Sequence, residues 1–251
     1  MSLTGKFLAK DPFDNSLILE WIKTDITSEE LAEFKKDISE IADHALAPIE
    51  IEFLRTYPEA VTQELFLMPC APLFKEGVEG VDWKLVEHRI QETIKQFYLT
   101  DIKSFGADMI KPLLDDVYYL VKIKESGREQ ILGFAMFAIT PELPYGDVKI
   151  IQVAVTQEGS NQEVDKWLMS SIFALIPDIK RLFVFLRPTN ESALRIYCSL
   201  DFAEDKNGFQ DPNHMVNMDY LRLLDYKSDR KKILQIIAEG LTNVECTSIT
   251  R

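Results

Sequence analysis

A chain of 251 residues that is 46% apolar and 27% charged can bury one large core, and no apolar run in it is long enough to span a bilayer. Its formal charge of −13 excludes the basic face that nucleic acid requires and leaves cationic partners such as amines open. Cys70, Cys198 and Cys246 contain no CxxC pair, and His44, His88 and His214 share no ligand spacing, so neither a disulfide framework nor a metal site is expected.

The opening residues, MSLTGKFLAKDPFDN, lack the apolar core and cleavage pattern of a signal peptide, which places the chain in the cytoplasm. LILEWIKTD, from Leu17 to Asp25, alternates as a first strand. A helix follows, with Thr27 and Glu30 spaced as a capping box, Ile26 and Leu31 as a hydrophobic staple, and Leu31, Phe34, Ile38, Ile41 and Ala45 on one face. Proline then punctuates the chain, and residues 46–113 read as a helical insertion in a single domain, 1–251. Within it Leu85, His88, Ile90, Ile94, Phe97 and Tyr98 mark an amphipathic helix that opens at Asp82. Such a stripe is either core or a surface for a partner.

After Asp116 the period changes. VYYLVKIKE and ILGFAMFAIT form a hairpin across SGREQ, and DVKIIQVAV is apolar enough to be a central strand. A helix with Val164, Leu168, Ser171, Ile172 and Leu175 inward comes next. The strand RLFVFLR, the helix ESALRIYCSL and the late strand HMVNMDYLRL follow it. KSDRKKILQIIAEGL predicts a terminal helix over 227–242, capped near Gly240.

FVFLRPTNESALRIYCSLDF, with Asn190, Ala193, Tyr197 and Phe202 in this spacing behind IIQVAV, resembles the GCN5-related N-acetyltransferase (GNAT) family over residues 116–225. Asp201 stands where that family has a glycine. The resemblance implies an α/β fold: a mixed, mostly antiparallel sheet flanked by helices, here with a helical insertion. It implies acyl transfer from acetyl-CoA, or another acyl-CoA, to a small-molecule or peptide amine, with no nucleic acid or membrane as partner and a homodimer open. Tyr197 would protonate the departing thiolate, and the main chain of Val153, Ala154 and Val155 would pair with the pantetheine amides. Asn190 would touch the coenzyme or cap its helix. Gln152 stands where a carboxylate base is sought, and an amide cannot serve, so a water chain or a residue of the insertion must.

The family's pyrophosphate loop has the form Gln/Arg-x-x-Gly-x-Gly/Ala, and Ser160, Glu163 and Asp165 align with its three defining positions. Ser160 and Glu163 also have the spacing of a capping box, and two acids at a helix start need no ligand to explain them. Two readings stay open: an N-acyltransferase with an altered loop, or a non-catalytic binding or regulatory protein on the same fold.

Overall fold

A computed structural model describes residues 4–10, 16–23, 29–64, 66–99, 117–139, 147–160, 164–176, 179–199, 202–204, 222–226 and 242–245. The central hairpin forms where the alternation predicts it. Strand β3 (Val117–Glu125) pairs antiparallel with β4 (Ile131–Ile139), and β4 is buried along nearly its whole length. Their turn places Gly127 at φ +84°, and Arg128 N donates to Glu125 O at 3.1 Å. A side chain at that backbone angle would be strained, which is why glycine stands there.

Strand β2 (Ser16–Lys23) lines the other side of β3, and β5 (Asp147–Val155) lies antiparallel beside β4. A further strand, β1 (Thr4–Lys10), pairs antiparallel with β2, in a stretch where the sequence alone predicts no element. β6 (Arg181–Leu186) joins β5 in parallel, with β7 (Phe202–Glu204) and β8 (Arg222–Tyr226) beyond it. With β9 (Thr242–Glu245) the described strands make one nine-stranded sheet, ordered β7-β8-β6-β5-β4-β3-β2-β1-β9. Among the described strands only the β5–β6 pair is parallel, so the sheet is mixed and mostly antiparallel, as the resemblance implies. The late strand was expected over residues 214–223. β8 occupies Arg222–Tyr226, and the terminal-helix stretch lies outside the described residues except for its last residue, Thr242, which opens β9.

Helices cover both faces. On one lies α1 (Glu29–Thr56), which runs on through Pro48 because Phe53 and Leu54 are fully buried beneath it. α2 (Trp83–Leu99) packs on α1, and 3-10 segments at Pro58–Thr62 and Met68–Phe74 fill the space between them. Asp82 caps α2, its Oδ1 accepting from Lys84 N at 3.1 Å and Leu85 N at 3.3 Å. The buried stripe of α2 is Val86, Ile90, Thr93 and Ile94, whereas Leu85 and His88 face out; the side chains of Phe97 and Tyr98 are not described. A stripe shared with α1 is core, which removes the main ground for a partner surface there. The Thr27 capping box and the Ile26 staple lie outside the described residues or side chains.

On the opposite face lie α3 (Gln157–Ser160), α4 (Val164–Leu175) and α5 (Glu191–Ser199). α4 packs on β3, β4 and β5 and buries Val164, Leu168, Ser171 and Ile172 of the face its periodicity gives; Leu175 of that face is half-buried, and Trp167, Met169 and Ser170 are buried as well. The sheet thus divides two apolar clusters, one under α4 and α5 and one under α1 and α2.

Candidate functional site

The site begins with a break in the sheet. β5 and β6 pair from Asp147↔Arg181 to Ile150↔Val184, and the ladder stops there, although β5 continues to Val155 and β6 to Leu186. The cause lies on the other edge of β5. Met136 pairs with Gln152 while Phe137 pairs with Ile150, so Ile151 is an extra residue. A bulge bends its strand and increases the twist, and this one turns β5 away from its parallel neighbour. Val153, Ala154 and Val155 stay paired with β4 on one edge and have no ladder partner in β6 on the other. Ala154 is buried toward α1, while Val153 and Val155 pack toward α4.

Past the break, Arg187 follows the last residue of β6. Its guanidinium is held by two carboxylates from distant parts of the chain. Nε donates to Glu50 Oε1 at 3.2 Å and Nη2 to Glu50 Oε2 at 2.9 Å. Nη1 donates to Glu64 Oε1 at 2.7 Å, and Nη2 also reaches Glu64 Oε2. The plane lies over the Phe53 ring, 4.1 Å from its centre. Ala47, Glu50 and Leu54 share one side of α1 by the helical repeat, and Ala47 and Leu54 belong to the cluster that includes Ala154. Glu50 therefore projects toward the sheet. Side-chain exposure is 12% for Arg187, 15% for Glu50 and 7% for Glu64. Burial raises the proton affinity of Glu50, Arg187 pulls it down, and the Glu64 charge raises it again, leaving it above the ordinary carboxylate value. Burial alone would lower the Arg187 pKa, but its bonds to both carboxylates hold it fully charged. The sequence reading missed all three residues.

Beyond Arg187 the chain turns into α5. Asn190 caps that helix, its Oδ1 accepting from Ala193 N at 3.0 Å. The Thr189 hydroxyl oxygen is buried with no hydrogen-bond partner among the described residues. Tyr197 lies in the α4/α5 cluster, 6% exposed, its ring edge-on to Phe202 with centroids 5.0 Å apart. Burial pushes its hydroxyl pKa well above the usual tyrosine value.

At the far end of β5 the chain closes on itself. Thr156 N donates to Leu132 O at 2.8 Å, as does the Thr156 hydroxyl at 3.0 Å, and that hydroxyl accepts from Gly159 N at 3.0 Å. A methyl on Gly159 would lie 2.5 Å from Leu132 O, so the loop rests directly on β4. The threonine thus caps α3, four residues upstream of Ser160, where the sequence suggests a capping box. Ser160 ends α3, Asp165 is partly buried in the first turn of α4, and Glu163 lies outside the described residues.

No family model matches the chain, and neither does any curated protein. Solved structures do. PaiA N-acetyltransferase from Thermoplasma acidophilum in complex with coenzyme A is similar at 12% identity and a TM-score of 0.44, over 83% of this chain and 99% of that one. A GNAT-family acetyltransferase from Staphylococcus aureus Mu50 gives 12% and 0.44 over 83% and 98%. The GNAT domain of Streptomyces lividans PAT gives 12% and 0.44 over 88% and 96%. In fold, then, the chain is similar to these acetyltransferases of the GNAT family.

Proposed function

We propose that the chain is an acyl-CoA-dependent N-acyltransferase that moves an acetyl or other acyl group from a thioester to an amine. The observation that carries this reading is the parting of β5 from β6 beyond Ile150 and Val184. A pantetheine arm bears amide donors and acceptors along an extended chain, and it can add to the edge of Val153, Ala154 and Val155 as a peptide strand adds to a sheet. Tyr197, on the helix that follows β6, supplies the proton for the leaving sulfur; a tyrosine hydroxyl is protonated at neutral pH without any shift, and burial raises its pKa further.

A second reading, a binding protein without turnover, is favoured by the loop after β5. There Thr156 takes the Gly159 N–H that a phosphate would otherwise meet, and Asp165 adds negative charge. Like charges a few ångströms apart cost a few kcal/mol at intermediate dielectric, about tenfold in affinity for each 1.4 kcal/mol.

Calorimetry separates the two. The acyltransferase reading expects saturable heat with acetyl-CoA and with CoA; none up to millimolar ligand would leave the second reading standing. Where the coenzyme binds, Tyr197→Phe should lower kcat about 100-fold with affinity unchanged. An unaltered kcat would remove Tyr197 from the reaction.

A further inference from the structure

The Arg187 cluster holds more negative charge than it needs. One guanidinium faces two carboxylates, each bound through both oxygens, so the trio carries a net charge of −1 with every member largely buried. One carboxylate is sufficient to neutralise Arg187. A second in a low-dielectric site is a cost to folding unless another cation arrives. Of the two, Glu50 is the more accessible, and it stands on the sheet-facing side of α1.

Location adds to this. Extending the β5–β6 register by three residues beyond Ile150↔Val184 would set Val153 beside Arg187, but the strands have already separated. The cluster therefore stands at the mouth of that opening, on the α1 side. Gln152 shares this face with Met136, its partner across β4, and an amide there cannot accept a proton. The buried, unpartnered Thr189 hydroxyl lies two residues beyond Arg187.

We infer that Glu50 is the proton acceptor for the acyl acceptor, and that this acceptor is a primary amine arriving as its ammonium ion. The inference rests on the acyl-transfer reading above. The ammonium supplies the missing positive charge and gives one proton to the Glu50 carboxylate. The neutral nitrogen then bonds to the thioester carbonyl carbon, the carbon–sulfur bond breaks, and the nitrogen's second proton ends on sulfur by way of Tyr197. The products are an amide, a free thiol and one proton, which Glu50 returns to water. Arg187 and Glu64 are positioning residues: they fix the Glu50 carboxylate, and their charges are the ones that act on it.

Two measurements on Glu50→Gln test this. The first needs no ligand. A carboxyl whose folded-state pKa is raised stabilises the fold below its unfolded value, and that contribution is lost as pH rises through the folded value. At pH 7 a neutral amide bound to Arg187 should therefore give a melting temperature equal to or above that of the parent chain. A drop of several degrees would mark Glu50 as a structural ion-pair partner and overturn the inference. The second is thiol release from acetyl-CoA with a panel of primary alkylamines and diamines. At pH 7 Glu50→Gln should lose roughly 100- to 10,000-fold in kcat with acetyl-CoA affinity unchanged, and the gap should narrow toward pH 10, where the amine deprotonates unaided. Glu50→Asp, which keeps the charge on a shorter arm, should be folded and recover part of the loss. An unchanged kcat, or a penalty constant across pH, overturns the assignment. Failure of the parent chain to bind acetyl-CoA, or to release thiol with any amine, brings down the acyl-transfer reading and this one with it.

Discussion

Arg187, Glu50 and Glu64 could not be paired from sequence, since 137 and 123 residues separate the arginine from its partners. The only trace was an arginine directly after the apolar run of β6, a place where a charge must find a partner or leave the core. Within the cluster the substitutions differ in sign. Arg187→Met leaves two buried carboxylates without a counter-ion and should cost about 3–5 kcal/mol at pH 7, measured by urea unfolding. The loss should shrink as the pH falls and those carboxylates protonate. Tyr197 was legible by its spacing from Asn190, but its burial against Phe202 was not, because the cluster that covers it also draws residues from strands 30 and more positions away.

At the level of elements, the four strands from Val117 to Leu186 were legible as apolar runs bounded by turn residues, and α4 from its helical repeat, because these signals are local; β4 and β5 are apolar on both faces since helices cover both sides of the sheet. The run of α1 through Pro48 was not legible. A proline lacks the N–H that would complete one turn, and burial on both sides of it, of Ile38, Ala42 and Ala47 before and Phe53 and Leu54 after, offsets that loss. Asn190 illustrates a residue with two available roles. Its hydrogen bond to Ala193 N accounts for its presence, so Asn190→Ala should reduce stability by about 1 kcal/mol and leave acetyl-CoA affinity as it was. A matching tenfold loss of affinity in calorimetry would assign it a coenzyme contact as well. The bulge at Ile151 was hidden, because a continuous apolar strand gives no sign of an extra residue.

Across the whole molecule, charge is gathered where strands from different parts of the chain lie side by side. Glu20 on β2 meets Lys122 at 3.3 Å and Lys124 at 3.3 Å on β3, and Lys122 also pairs with Asp37 of α1. Burial would raise the Glu20 pKa, but the two lysines outweigh it and hold the carboxyl below its ordinary value. A depressed carboxyl stabilises the fold above its unfolded pKa and ceases to as pH falls through the folded one. Glu20→Gln should therefore lower stability by about 1 kcal/mol at neutral pH, with the difference vanishing in acid. Among the described residues no helix is long and apolar enough to cross a membrane.

One pairing ties together distant parts of the chain. Thr242–Glu245 lies alongside Thr4–Lys10, so the outermost described rung on that side is supplied by a strand far along the sequence. Without that rung, the amide row of the first strand has no cover there and is open to a strand from another molecule. A stop codon ahead of residue 242 should accordingly yield material that self-associates on purification while the site at the other end of the sheet stays intact.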